Sequence, residues 1–560
     1  MRLRVAAVPL ILLAALPAMA GGRRAAAPPR LVVVVVIDQM ASGTLESMRD
    51  RFSGGLKRFL DKGRIFPRCD HDHAVTETGP GHATLLSGLH PGHNGIIAND
   101  WHDPVARRDV YCVGDPSPGA SRNFDGSEAT SAARLRGENF ADLLKRVSPG
   151  SKVFTVAGKD RSAILTAGHH ADGAFWYSMK TGGFTSNPGI VAALPAWGSE
   201  FWSADPYTTS LYRENVPDLW TYPIRSGPMP DDYPYENATF SRTAPHPLVK
   251  PDPQETPDKR VAAIARRVMG SPWADWLTLK LAERILDAEG LGRDLSPDLL
   301  VVSLAGVDYV GHDYGPGSQE FLDHLLRVDA WLGEFMRRAD DAAGGEEVLF
   351  VLSADHGVLP LPETVPGARR VDFENLGRRL EEGLAHRLGG EGAPAEGPFI
   401  ESEQSRNLYL NRSTLARLKI PLERAVEETR RELLGLWEVA RVYRRSDLAA
   451  GTAPTDPYLD VYRNAFDPER SGDLIIQPCE RCLFTSRPEG TSHGSPYEYD
   501  RLVPMIFLGP SVRPGRDAGE CRTVDLAPSL AALLGMSFEA PRDGRPLLAT
   551  RHVDRAPARK

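Results

Sequence analysis

The chain has 560 residues, 41% hydrophobic, 8% aromatic and 25% charged, a balance that excludes disorder, collagen-like repeats and a polytopic membrane protein. Its 66 Lys and Arg against 74 Asp and Glu leave a formal charge of −8, which offers no basic footprint for nucleic acid. That length holds three or four average domains, or one large α/β fold with insertions.

Residues 1–20 contain Arg2 and Arg4, an apolar run from Val5 to Leu16, and Ala18-Met19-Ala20. These are the n-region, h-region and cleavage site of a secretory signal. The run is too short for a bilayer that needs roughly 20 apolar residues. The expectation is therefore a periplasmic or secreted protein, cleaved near Ala20 and without a membrane anchor. Five cysteines are few for this length, and Cys479-Glu-Arg-Cys482 reads as a local disulfide in an oxidising compartment.

From residue 31 onward, Val-rich apolar runs alternate with helical patterns. Strands buried on both faces are predicted over 31–37, 152–157, 299–304, 348–353, 474–477 and 503–508. Helices are predicted over 54–62, 81–87, 139–147, 273–289, 319–342 and 524–534. The alternation predicts an α/β fold, a mostly parallel central sheet with helices on both faces. Residues 187–257 are rich in Pro, Tyr and Trp and read as long ordered loops inserted in that core. Residues 360–470 read as an inserted small α+β subdomain with a helix over 422–436. The core then comprises 28–359 and 471–548.

In such sheets chemistry gathers at the carboxyl ends of the strands. Strand 31–37 ends in Asp38; strand 299–304 leads to Asp308-Tyr-Val-Gly-His312; strand 348–353 leads to Asp355-His356; and Thr491-Ser-His493-Gly precedes the last strand. Three carboxylates and three imidazoles converging on one edge suit two Zn²⁺ ions. Asp308 and His312, four apart, share one face of a helical turn. Thr78, before Gly79-Pro80 and a helix, sits at an N-cap position beside free N–H groups, where a metal can lower the pKa of its hydroxyl. His82 reads as structural or supporting. Lys159 and Arg161, two apart after strand 152–157, reach one anion if the chain there is extended. A phosphate monoester dianion needs that charge more than a diester does.

These residues resemble the alkaline phosphatase superfamily, most closely its exported, phosphate-irrepressible alkaline phosphatases with a threonine nucleophile. The resemblance is carried by Val-Val-Ile-Asp38-Gln-Met, Thr78-Gly-Pro-Gly-His-Ala-Thr, Gly95-Ile-Ile-Ala-Asn99-Asp-Trp, Lys159-Asp-Arg161, Asp308-Tyr-Val-Gly-His312, Ser353-Ala-Asp355-His356-Gly and Thr491-Ser-His493-Gly. It implies an alkaline-phosphatase-like three-layer fold and two Zn²⁺ per chain. Asp308, His312 and His493 would bind one ion; Asp38, Asp355, His356 and the Thr78 oxygen would bind the other. It further implies attack by Thr78 on phosphorus and a phosphothreonine intermediate that is then hydrolysed. Asn99, Lys159 and Arg161 would bind the phosphoryl group of small-molecule phosphate monoesters, in a monomer. A nucleotide phosphodiesterase or pyrophosphatase of the same superfamily shares the zinc ligands, Thr and Asn, and stands as the alternative. A non-catalytic exported zinc-binding protein is a second one, although metal storage needs none of Thr78, Asn99, Lys159 and Arg161.

Overall fold

The computed structural model describes residues 28–548 apart from 204, 226, 228, 238–240, 250–255, 346, 390–396, 451–454 and 511. The signal sequence read at residues 1–20 lies outside the described residues. Leu31–Ile37, fully buried along its length, runs through the middle of a ten-stranded sheet. Val348–Ser353 lies on one side and Asp298–Leu304 on the other, followed by Val153–Ala157 and Gly173–Tyr177, and all five run parallel. Such a strand has no solvent face, so every position is apolar rather than every second one.

Helices Gly55–Lys62, Pro272–Glu289 and Gln319–Ala342 form one packed group; Thr78–Ser87, Phe140–Val147, Asp160–Ala167 and Leu526–Leu533 form another. Local chemistry fixes several ends. Asn139 and Asp142 form a reciprocal capping box on Phe140–Val147. The carboxylate of Asp329, on Gln319–Ala342, accepts four backbone N–H groups at the start of Gly55–Lys62, from Ser53, Gly54, Leu56 and Lys57. It replaces a cap that Gly54 cannot supply.

Three features differ from the sequence reading. Leu502–Leu508 joins the main sheet antiparallel to Val348–Ser353, since an apolar run records burial and not direction. Arg64–Asp70, interrupted by Pro67, pairs with Leu502–Leu508 near the sheet margin; a proline there removes one donor without breaking a central ladder. Leu474–Pro478 belongs not to the core sheet but to a four-stranded antiparallel sheet with Ile400–Gln404, Asn407–Leu410 and Val439–Arg444. The small sheet therefore extends past residue 470, the boundary drawn from sequence, because burial on both faces is equally available in either sheet. Helices Phe373–Gly389 and Leu422–Leu434 pack together on it around Leu380, Leu384, Leu408, Leu433 and Leu474. The first of these helices carries Gly377 and Gly383, which obscure its pattern. Cys479 and Cys482 form the expected disulfide.

Candidate active site

The strand ends deliver the site. Asp38 directly follows Leu31–Ile37, and Gln39 behind it takes a left-handed φ of 68°. That turn aims the Gln39 N–H at Asp355 Oδ1 (3.2 Å) and its Nε2 at Asp308 Oδ1 (2.8 Å). Gly311 leaves room for that side chain, since a Cβ there would meet the Gln39 amide. Helix Gly306–Tyr314 stacks Asp308 under His312, with His312 Nε2 3.1 Å from Asp308 Oδ1.

The three histidines share one design. Nδ1–H of His312 donates to Thr491 O (2.7 Å), that of His493 to Thr76 O (2.6 Å) and that of His356 to Gly357 O (3.0 Å). A carbonyl only accepts, so each ring is held with Nδ1 protonated and Nε2 turned toward the carboxylates as the atom that could ligate. The His356 and His493 rings stack at 3.5 Å between centroids.

Donor atoms of Asp308, His312 and His493 lie within 4.8 Å of one another, as do those of Asp38, Asp308 and His356. Asp308 thus belongs to both tight groups. Asp355 stands beside the second, its Oδ2 3.5 Å from His356 Nε2 and 3.3 Å from His82 Nδ1. Asp38 Oδ1, Asp355 Oδ2 and His356 Nε2 are buried and make no hydrogen bond. Orphaned buried carboxylate and imidazole atoms facing one another fit a cation. Burial pushes the Asp38 carboxyl well above the usual range, helped by the charges of Asp308 and Asp355. Burial acts the same way on Asp308, but His312 and Lys159 override it and hold that carboxyl well below the usual range.

Thr78 is buried in the first turn of helix Thr78–Ser87, one residue inside the cap, which is Glu77. The sequence placed Thr78 at the cap itself; the extended backbone at Glu77 shifts the boundary by one. Glu77 is nonetheless part of the frame, because its Oε2 accepts the Asn99 N–H (2.8 Å) while Asn99 Oδ1 accepts the Gly79 N–H (2.8 Å). His82 ties the same helix down, from Thr78 O (2.9 Å) to Ser303 Oγ (2.8 Å).

Lys159 and Arg161 do not lie on an extended stretch. Lys159 is the N-cap of helix Asp160–Ala167 and Arg161 is in its first turn, where Asp160 favours helix initiation. Both still reach Thr78: Lys159 Nζ donates to Thr78 Oγ1 at 3.2 Å and Arg161 Nη2 at 3.4 Å. Lys159 Nζ also bridges Asp308 Oδ2 (2.6 Å) and Asp38 Oδ2 (2.7 Å). Tyr111, which carried no sequence signal, donates to Asp160 Oδ1 (2.6 Å) and accepts from Arg161 Nη1 (3.3 Å). Beyond Asn99, the hairpin Asp100–Asp103/Arg108–Tyr111 meets the small sheet, where Ser402 and Gln404 donate to Asp109.

The sequence profile of the type I phosphodiesterase/nucleotide pyrophosphatase family matches residues 32–498. The chain belongs to this family. Among its relatives within the alkaline phosphatase superfamily, alkaline phosphatase PhoD of Zymomonas mobilis is 32% identical over 526 residues, covering 91% of this chain and 86% of its own. The crystal structure of wild-type alkaline phosphatase PafA superimposes with a TM-score of 0.82 at 27% identity, covering 93% of this chain and 98% of that one. Murine ectonucleotide pyrophosphatase/phosphodiesterase 5 shares the fold at a TM-score of 0.51 and 13% identity. Among the described residues of this chain, no helix is long and apolar enough to cross a membrane.

Proposed function

We propose that this chain is an exported, zinc-dependent alkaline phosphatase that hydrolyses phosphate monoesters by attack of Thr78 Oγ1 on phosphorus. The observation that carries the reading is a pair of cations, the buried Lys159 and the half-buried Arg161, both within hydrogen-bond distance of that one oxygen. Relatives named alkaline phosphatases across nine tenths of the chain support the monoester activity.

In this reading a phosphate monoester enters with its phosphorus against Thr78. Arg161 forks onto two non-bridging oxygens, and Lys159 supplies a compact charge to the third. Asn99, whose Oδ1 is committed to the Gly79 N–H, keeps its Nδ2 hydrogens as donors to the same group. The cap and first turn of Thr78–Ser87 place backbone dipoles behind the nucleophile. Asp308, His312 and His493 would hold one zinc ion, and Asp38, Asp355 and His356 the other. Bound there, zinc supplies Lewis acidity that favours the ionised threonine and neutralises charge on the entering and leaving oxygens. His82 and Gln39 keep nucleophile and carboxylates in register throughout.

The test is kcat/KM of the zinc-loaded protein on an aryl phosphate monoester and on the matching diester, with Lys159→Ala/Arg161→Ala alongside. The expected result is a large monoester preference that the double variant narrows. A diester preference untouched by the double variant would instead make the chain a nucleotide phosphodiesterase.

A further inference from the structure

A second cluster of metal-ligating side chains lies outside the constellation above, where the nucleophile helix hands over to the next element. Helix Thr78–Ser87 ends at Gly88, and His90 caps the short helix Pro91–Asn94, which carries His93. Against them lies Asp543 of the C-terminal segment, whose N–H donates to Gly88 O (3.0 Å). Asp543 Oδ2 stands 2.8 Å from His93 Nδ1 and 3.3 Å from His90 Nδ1. Donor atoms of all three residues lie within 4.8 Å of one another.

We propose that His90, His93 and Asp543 form a separate zinc-binding site that clamps the C-terminal segment to the loop behind the nucleophile helix. The donor set decides the class of ion: two imidazoles and one carboxylate suit Zn²⁺ rather than Mg²⁺ or Ca²⁺, which take oxygen ligands. The surroundings fit a built site. His90 is buried, its Nε2 2.9 Å from Asp72 Oδ2 and its Nδ1 facing Asp543; burial alone would lower its pKa, but the two carboxylates push it up to about 9, so zinc takes the place of the Nδ1 proton while Asp72 keeps the one on Nε2. Asp72 Oδ1 is itself buried without a hydrogen-bond partner. The His90 N–H donates to Asp543 Oδ2 (2.7 Å) and orients the carboxylate, while Arg522 Nη2 donates to the Asp543 backbone carbonyl (3.1 Å) and fixes the main chain that carries it. Three protein ligands leave a fourth tetrahedral position for water on the exposed side of His93. The ligands lie 450 residues apart in sequence, so an ion there closes a long loop and acts as a structural clamp.

The experiment counts metal rather than turnover. Full-length protein is stripped with chelator, reloaded with Zn²⁺, desalted and assayed for zinc per chain, with His93→Ala and Asp543→Asn treated identically. His93 is mostly exposed, so its truncation leaves the fold intact; Asp543→Asn keeps an acceptor for the His90 N–H. The proposal expects each variant to hold one zinc fewer than wild type, to hydrolyse an aryl phosphate as fast as wild type, and to lose part of the zinc-induced rise in Tm. Equal zinc content in wild type and both variants, with equal Tm responses, would overturn it. The comparison is a difference, so it stands whatever the active site binds.

Discussion

Gly81 lies one helical turn beyond Thr78, where helix Thr78–Ser87 crosses the loop that carries Asp355. A Cβ added at Gly81 would sit 2.2 Å from Asp355 O and 2.8 Å from both Asp355 C and Asp355 Cβ. Carbon and oxygen need more than 3 Å, so Gly81→Ala must part the two segments by about 1 Å. The obstruction is backbone, so no rotamer change relieves it. One side of the contact holds Thr78 and the other holds Asp355 and His356; the substitution thus pulls Thr78 away from those candidate metal ligands. Overpacking of this kind costs about 1–3 kcal/mol of stability, and a displacement of about 1 Å between reacting groups costs on the order of 10²-fold in rate. We expect Gly81→Ala to fold, to melt a few degrees lower, and to lose about 100-fold in kcat/KM on an aryl phosphate at saturating zinc. Gly43→Ala is the control, since a Cβ there meets nothing within 4 Å. If Gly81→Ala keeps activity within about threefold of wild type, close helix–loop contact is not what positions Thr78.

Three further outcomes follow from other contacts. Tyr111→Phe removes the hydroxyl that joins Asp160 to Arg161; kcat/KM on the monoester should fall about tenfold, the worth of one hydrogen bond, with the diester rate nearly unchanged, and equal losses on both would exclude a role through Arg161. Asp329→Ala strips an acceptor from four N–H groups at the start of Gly55–Lys62; it should lower unfolding free energy by about 3 kcal/mol in denaturant titrations without changing kcat/KM, and a loss below about 0.5 kcal/mol would contradict the capping account. Burial pushes the Asp500 carboxyl from near 3.8 up to about 7. The folded state therefore holds its proton more tightly than the unfolded chain, and the stability this contributes is complete below about pH 4 and lost as pH rises through 7. Asp500→Asn abolishes that slope, so wild type should lose stability relative to the variant between pH 5 and 8. A constant difference in Tm across that range would show that Asp500 ionises normally.

Much of this site was legible because metal chemistry restricts residue types and a parallel sheet restricts where they stand. Asp38, Asp308 with His312, and Asp355 with His356 each follow a largely apolar strand that is buried along its length, and the structure brings all of them together. Apart from His82, the supporting residues were not legible. Gln39 acts through a left-handed turn, Glu77 through a bond to the Asn99 backbone, and Tyr111 through Asp160; each depends on a tertiary approach that leaves no periodic trace. Lys159 and Arg161 were brought to one oxygen for a different reason from the one inferred, a helix start rather than an extended strand. Leu474–Pro478 shows the matching limit for the fold: an apolar run announces burial but cannot name its sheet.

The most direct measurement of the central claim is an acid quench of the enzyme during turnover of an aryl phosphate, followed by peptide mapping. The account predicts phosphate on Thr78, absent from Thr78→Ala, together with loss of turnover in that variant. Steady turnover by Thr78→Ala, or phosphate trapped on any other residue, would contradict it.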